Sequence, residues 1–195
     1  MIMRHSLRSD RLPEHKGKFK TGNNDCSLSE EGVQFALEKA SRLSTLLNEP
    51  ISHIYTSPFL RTHQTSQLIA HYYKKNYNHH VDICELVHLA EGQTYEEPCF
   101  SDDLLQKLKE QVIKNPETLE NIANRCRLVL NHVVKDLEYK NVLLVTHGVI
   151  YNELLKAIFP NIVFLFNERH RRRNWVFFAL LSTPCLKLSN VAKML

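Results

Sequence analysis

The 195-residue chain has few cysteines, and they lack the spacing that a disulfide framework or a zinc site needs. The five cysteines are widely separated, and no two of them form a C-x-x-C pair. The spacing therefore disfavours both kinds of site and indicates a reducing compartment. The sequence also has no apolar stretch that approaches a membrane span, and no signal-peptide core precedes Arg4. We therefore expect a cytoplasmic protein with no membrane partner.

Several function classes are disfavoured by missing motifs. The sequence has no P-loop and no obvious cluster of aspartates for Mg²⁺, which argues against nucleotide-driven kinase chemistry. The net charge is +4, but the basic residues are mostly scattered, so we expect no nucleic-acid partner. The basic run at residues 169–173 is interpreted as a solvated turn. Repeats, linkers and low-complexity segments are also lacking, and the length predicts a single domain over residues 1–195.

The order of apolar patterns predicts an α/β fold. Short apolar runs that stop at a polar residue are typical of buried parallel strands, and two of them end at His5 and His147. Segments with apolar residues at three- and four-residue steps alternate with these runs and predict helices. The end of the chain predicts a hairpin. We therefore predict a three-layer helix-sheet-helix sandwich with a mainly parallel sheet and a C-terminal antiparallel hairpin.

The predicted helix starts rest on capping residues. The S-x-x-E pattern that begins at Ser27 indicates a capping box, with an apolar helix face behind it. Ser57 is a candidate N-cap with proline in the first turn after it. Ser101 and Pro116 are predicted to begin two further helices, the second of them longer.

Three predicted element ends carry side chains suited to phosphate. Arg4 and His5 end the first strand, Ser57 and Arg61 lie at a helix start, and His147 ends a later strand. Ligands of open α/β sheets bind beyond the carboxyl ends of the strands, and helix starts attract anions. A guanidinium binds phosphate oxygens well, and nearby positive charge keeps an imidazole neutral and nucleophilic. The pattern therefore points to phosphoryl transfer through a phosphohistidine.

These residues also lie in motifs that resemble those of the histidine phosphatase, or phosphoglycerate-mutase-like, superfamily. R-H-S at residues 4–6 is similar to the family's R-H-G, and residues 28–34 are similar to its L-T-x-x-G-x-x-Q helix start. Residues 57–65 match S-P-x-x-R-x-x-Q-T, and V-T-H-G at residues 145–148 matches the second histidine motif. The resemblance spans nearly the whole chain, with the motifs in the family's order.

The resemblance implies a role for each matching residue. His5 would be the nucleophile that is transiently phosphorylated, and Arg4, Arg61 and His147 would hold the phosphoryl oxygens, with Ser57 beside them. A carboxylic acid would protonate the leaving group and later deprotonate water, a role for which Glu85 is the first choice and Glu91 the second. Arg8 resembles the second arginine of the R-H-G-E-R-x-D variant and is a further candidate phosphate contact. No metal ion or other cofactor is implied.

The expected activity is a phosphomonoester hydrolase of the histidine acid phosphatase type. Its substrate would be a phosphorylated small molecule or a phosphoprotein. A phosphoglycerate-type mutase and a non-catalytic phospho-ligand binding protein are the alternatives, and the second is favoured by Ser6 and Leu7, which replace the usual glycine and glutamate. The sequence leaves open whether the chain forms a homodimer.

Overall fold

The part of the chain that the structure describes is built on a five-stranded sheet. A computed structural model describes residues 1–11, 25–91, 102–110, 117–135, 141–159 and 176–177 of the chain. The strands, in the spatial order β3-β2-β4-β1-β5, are β1 (Ile2–Arg4), β2 (Ile51–Thr56), β3 (Asp82–Glu85), β4 (Asn141–Thr146) and β5 (Val176–Phe177). β1 to β4 are parallel, whereas β5 is antiparallel to β1.

Helices cover both faces of the sheet. They are α1 (Glu30–Leu46), α2 (Leu60–Tyr77), α3 (Asp102–Glu110), α4 (Leu119–Lys135) and α5 (Gly148–Ile158). Side chains alternate across β4, so Leu143 and Val145 pack in one apolar cluster with residues of α1 and α2. Val142 and Leu144 pack in a second cluster with residues of α4 and α5. The predicted α/β class with a mainly parallel sheet is confirmed, while most of the predicted hairpin lies outside the described residues.

The first predicted cap is two residues too early. Ser29 rather than Ser27 caps α1, and its Oγ accepts a hydrogen bond from Gly32 N–H at 3.0 Å. The chain up to this point is extended because it pairs with the segment after β1. Ser9 N–H donates to Ser27 O, and Ser29 N–H donates to Leu7 O, both at 3.0 Å.

The cap predicted for α2 is also wrong. Phe59 occupies the N-cap position without a side-chain cap bond, and Asp25 Oδ1 accepts from the Leu60 N–H at 2.6 Å instead. A residue distant in sequence therefore satisfies this helix start. α4 begins at Leu119 rather than at Pro116, with Thr118 Oγ1 accepting from Asn121 N–H at 3.2 Å. Ser101 lies outside the described residues.

The buried faces of two helices differ from the apolar faces that the sequence predicts. In α1 Val33 is exposed, and the buried face includes Lys39, with only 7% of its surface exposed. In α2 the buried face is polar near its start, where Arg61 and Thr65 are fully buried and Leu60 is exposed. Buried polar side chains at a helix start beside the strand ends mark this region as the candidate site. Among the helices of the described ranges, none is long and apolar enough to cross a membrane.

Candidate active site

The sheet brings three chain segments together at the carboxyl ends of its parallel strands. Hydrogen bonding continues past the last paired residues, because His5 N–H donates to Thr146 O at 2.9 Å and Ser57 N–H donates to Val145 O at 3.1 Å. The histidines that follow β1 and β4 therefore lie side by side. The ring centroids of His5 and His147 are 5.4 Å apart. The predicted meeting of the first strand, the α2 start and the second histidine is seen in this arrangement.

His5 is held in one tautomer by the residue that follows it. Its Nδ1 lies 2.7 Å from the Ser6 carbonyl oxygen, which can only accept a hydrogen bond, so Nδ1 carries the proton. Nε2 then keeps its lone pair. Ser6 is itself fixed, since its N–H donates to Thr65 Oγ1 at 3.1 Å. Burial, followed by the positive charges of Arg61 and Arg4, lowers the pKa of His5 well below its usual value.

His147 has a partner on each ring nitrogen. Arg61 Nη2 donates to its Nδ1 at 3.0 Å, and its Nε2 lies 2.7 Å from Ser57 Oγ. Because a guanidinium cannot accept, Nδ1 is unprotonated and Nε2–H is the donor to Ser57. The Phe59 ring meets the imidazole edge-on at 4.8 Å between centroids. Burial, and then the charge of Arg61, lowers the pKa of His147 well below its usual value.

Two arginines supply positive charge beside the histidines. Arg61 is fully buried, and its guanidinium carbon lies 4.5 Å from the centroid of the Phe59 ring. The Arg4 side chain crosses the start of α5, where a Cβ atom added to Gly148 would meet its Cζ at 3.6 Å. Helix starts carry partial positive charge, so this position adds to the attraction for an anion.

The two candidate carboxylates occupy different places. Glu91 forms an ion pair with Arg61, and its Oε2 lies 3.5 Å from His147 Nδ1. Glu85 ends β3, beside the end of β2, and its carboxylate contacts His63 at 2.9 Å and Lys107 at 3.4 Å. The structure thus brings Glu91 to Arg61 and His147. Glu85 lies in a more exposed group with His63 and Lys107.

The sequence of the chain fits one known family along most of its length. The profile of the histidine phosphatase superfamily, branch 1, matches residues 1–170. The chain belongs to this superfamily. No curated protein is similar enough in sequence to count as a match.

Several solved structures share the fold. A phosphoglycerate mutase from Bacillus anthracis str. Sterne is 18% identical with a TM-score of 0.57, covering 82% of this chain and 78% of its own. A phosphoserine phosphatase from Entamoeba histolytica, solved with 3-phosphoglyceric acid, is 19% identical with a TM-score of 0.53. The match covers 82% of this chain and 78% of that protein. A mycobacterial glucosyl-3-phosphoglycerate phosphatase is 19% identical with a TM-score of 0.52, and the match again covers 82% of this chain and 78% of that protein. At these identities the likeness establishes the superfamily's fold alone.

Arg8 is directed to a neighbouring acid. Its Nε and Nη2 donate to the two carboxylate oxygens of Asp10 at 2.9 and 2.7 Å, and Nε also lies 3.1 Å from Cys26 Sγ. The arginine and the aspartate that resemble those of the R-H-G-E-R-x-D variant therefore form an ion pair with each other. A direct phosphate contact by Arg8 stays a prediction.

The sequence carries a signal for each of the two carboxylates. Residues 89–91 read L-A-E, which is similar to the L-x-E or L-R-E form that the family resemblance implies for the acid, whereas residues 83–85 read I-C-E. Glu85 is the first choice from the sequence because it directly ends a predicted strand. Asp25, which satisfies the start of α2, had no local signal because its partner is 35 positions away. Within the described ranges, no group of three or more His, Cys, Asp or Glu side chains is placed to hold a metal ion.

Proposed function

We propose that the protein is a phosphomonoester hydrolase that works through a phosphohistidine on His5, with no metal ion in either step. The observation that carries the proposal is the His5 ring, which is buried, bonded through Nδ1 to the Ser6 carbonyl and adjacent to His147. Nε2 is then the nucleophilic nitrogen. The neighbouring guanidiniums of Arg4 and Arg61 disfavour a charged imidazole and favour a bound phosphate.

In the first step His5 Nε2 attacks the phosphorus of the substrate. An N–P bond forms as the P–O bond to the leaving group breaks, and the guanidiniums of Arg4 and Arg61 bind the phosphoryl oxygens through this transfer. The neutral His147 ring, which accepts from Arg61 at Nδ1, holds that guanidinium in place. Ser57 fixes the His147 ring through the 2.7 Å contact with Nε2. A phosphate that engages Arg61 competes with Glu91 for the guanidinium and so frees the Glu91 carboxyl from this ion pair.

Glu91 is the proposed acid and base. It gives its proton to the leaving oxygen in the first step, and the resulting carboxylate takes a proton from water in the second. The water oxygen attacks phosphorus, the N–P bond breaks, and inorganic phosphate leaves with His5 restored. The support for Glu91 over Glu85 is its position beside Arg61 and His147.

The proposed substrate is a phosphorylated small molecule or a phosphoprotein, and the proposed location is the cytoplasm. A phosphoglycerate-type mutase is the alternative within the superfamily, since one solved structure of the same fold is a phosphoglycerate mutase. The two activities share the first step. They differ in whether the phosphoryl group passes to water or to a second hydroxyl.

A trapping experiment tests the proposal. The protein is mixed with a ³²P-labelled phenyl phosphate in the presence of a chelator, quenched in base during turnover and mapped for acid-labile phosphate. We expect label on His5 and release of inorganic phosphate. His5→Ala should abolish both, whereas the control His53→Ala, in the middle of β2, should retain both.

The outcomes separate the alternatives. Label on His5 that passes to 2- or 3-phosphoglycerate instead of water identifies a mutase. Phosphate binding without label identifies a non-catalytic binding protein. Hydrolysis retained by His5→Ala overturns the proposed mechanism.

A further inference from the structure

The segment that leads to Glu91 is fastened by side chains from two other elements. After β3 the chain makes a 3₁₀ turn over Val87–Leu89, and Leu89 and Ala90 are fully buried. The carbonyl oxygens of His88, Leu89 and Ala90 are three successive acceptors, and each of them receives a hydrogen bond from a buried side chain. Such an arrangement fixes the backbone immediately before Glu91.

Arg125 of α4 supplies two of these three bonds. Its Nη1 donates to His88 O at 2.6 Å and to Ala90 O at 2.9 Å. Its Nε and Nη2 donate to the carboxylate of Glu117 at 2.9 and 2.5 Å. The guanidinium therefore uses one edge to bind a carboxylate and its other end to bind the turn, which a lysine cannot do.

The Arg125 and Glu117 side chains are buried, with 7% and 3% of their surfaces exposed. Burial of a lone charge is costly, so the ion pair keeps the guanidinium in place. The apolar neighbours of Arg125 along α4, Ile122 and Cys126, are fixed in the core against α5 and the sheet. The position of the turn is thus set by the packing of α4.

The third bond connects the same turn to the second histidine. Thr146 Oγ1 donates to Leu89 O at 2.7 Å, and Thr146 is the residue immediately before His147. The distance from Glu91 Oε2 to His147 Nδ1, 3.5 Å, is therefore set through a short path of buried hydrogen bonds.

We propose that Arg125, held by Glu117, is a positioning residue for Glu91. The inference rests on the proposed function, in which Glu91 is the acid and base. In the free protein the ion pair with Arg61 also holds Glu91. Once a phosphate engages Arg61, the fastened backbone is what keeps the carboxyl near the leaving oxygen. A displacement of about 1 Å at such a group is enough to reduce the rate by about 10²-fold.

The test compares two substrates of similar size that need acid catalysis to different extents. Nitrophenolate leaves p-nitrophenyl phosphate without a proton, whereas the leaving group of phenyl phosphate is more basic and benefits from one. For Arg125→Met we expect kcat/KM to fall about 10- to 100-fold with phenyl phosphate and less than about 3-fold with p-nitrophenyl phosphate. Arg125→Lys should recover part of the loss, since it keeps the charge and one hydrogen bond.

A double-mutant cycle separates positioning from a general defect. In a Glu91→Gln background, Arg125→Met should reduce kcat/KM for phenyl phosphate by less than about 3-fold, because its effect passes through Glu91. Ile122→Val, on the same helix, is the control for altered packing and should affect both substrates equally. Glu117→Gln keeps the shape of the pair, and we expect it to lower kcat/KM for phenyl phosphate more than for p-nitrophenyl phosphate, as Arg125→Met does but to a smaller extent. If Arg125→Met does not fold, Glu117→Gln is the variant used for the test.

The result that overturns the proposal is an equal loss on both substrates, or an undiminished loss from Arg125→Met in the Glu91→Gln background. The proposed function fails in a different way, through activity that survives His5→Ala. The two failures are therefore distinguishable in one set of variants.

Discussion

Arg61 donates a hydrogen bond from Nη2 to Nδ1 of His147 over 3.0 Å. A guanidinium has no acceptor, so this contact requires an unprotonated Nδ1 and a neutral imidazole. His5 is neutral for a related reason, because its Nδ1–H is used by the Ser6 carbonyl and the surroundings are buried and cationic. Both histidines of the proposed mechanism are thus held uncharged.

This neutrality predicts activity at acidic pH. Burial, Arg61 and Arg4 lower the pKa of His5 well below its usual value of 6.5, so the nucleophile stays unprotonated as the pH falls through 6.5. We expect the acid limb of kcat/KM, corrected for ionisation of the substrate phosphate, to have its midpoint well below the usual histidine pKa of 6.5. The measurement is a profile of p-nitrophenyl phosphate hydrolysis from pH 4 to 8. A midpoint at or above 6.5 would show that His5 is not shielded in this way.

The site residues that could be predicted from the sequence are those that come directly after a strand. His5 and His147 each end an apolar run, and parallel strands place their carboxyl ends at one edge of the sheet. Arg61 lies at the start of the helix after β2, which is also a parallel strand, so its position at the same edge of the sheet can be predicted in the same way. Local pattern and fold class are sufficient to bring these three residues together, and the superfamily's motifs name the same positions.

The remaining features depend on contacts between distant segments. Ser57 has the sequence of a helix cap, but its hydroxyl is used by His147, 90 positions away. Glu91 comes after a 3₁₀ turn whose course is set by Arg125 and Thr146, so its distance from β3 in sequence does not predict its place. Lys39 is buried because α1 turns this face to the sheet, against the preference of lysine for water.

The choice between the two carboxylates can be tested directly. Glu91→Gln removes the group beside Arg61 and His147, so kcat/KM with phenyl phosphate should fall about 10²- to 10³-fold. Glu85→Gln alters a surface group with His63 and Lys107 and should change the rate by less than about 3-fold. The matched substitutions differ only in position. A large loss from Glu85→Gln with a normal rate for Glu91→Gln would return the acid role to Glu85.

A glycine of the superfamily motif predicts a local packing effect. A Cβ atom at Gly32 would lie 2.3 Å from the carbonyl oxygen of Leu7, a backbone atom that already accepts from Ser29 N–H. Gly32→Ala should therefore push apart α1 and the segment after His5, and lower the free energy of unfolding by about 1–3 kcal/mol. At Gly148 the nearest atoms are Arg4 side-chain atoms at 3.6 Å or more, so Gly148→Ala is the tolerated control. Urea unfolding of both variants measures the difference, and equal midpoints would contradict the prediction.

Lys39 predicts a stability that rises with pH. Burial, with a smaller effect of the Arg4 charge, lowers the pKa of Lys39 from 10.5 to about 7, and its Nζ atom has no hydrogen-bond partner among the described residues. Between pH 7 and 10.5 the unfolded chain binds the proton that the folded chain has lost, so this group makes the folded state more stable as the pH rises. Below pH 7 both states are protonated and the full cost of the buried charge remains. Lys39→Met should therefore raise the free energy of unfolding by about 2 kcal/mol or more at pH 7, equivalent to about 4 °C in Tm, and this gain should shrink towards pH 10.

Lys75→Met, at an exposed position of α2, removes the same charge and should show neither effect in thermal unfolding from pH 6 to 10. A gain for Lys39→Met that does not change with pH would mean that burial does not lower the pKa of this lysine.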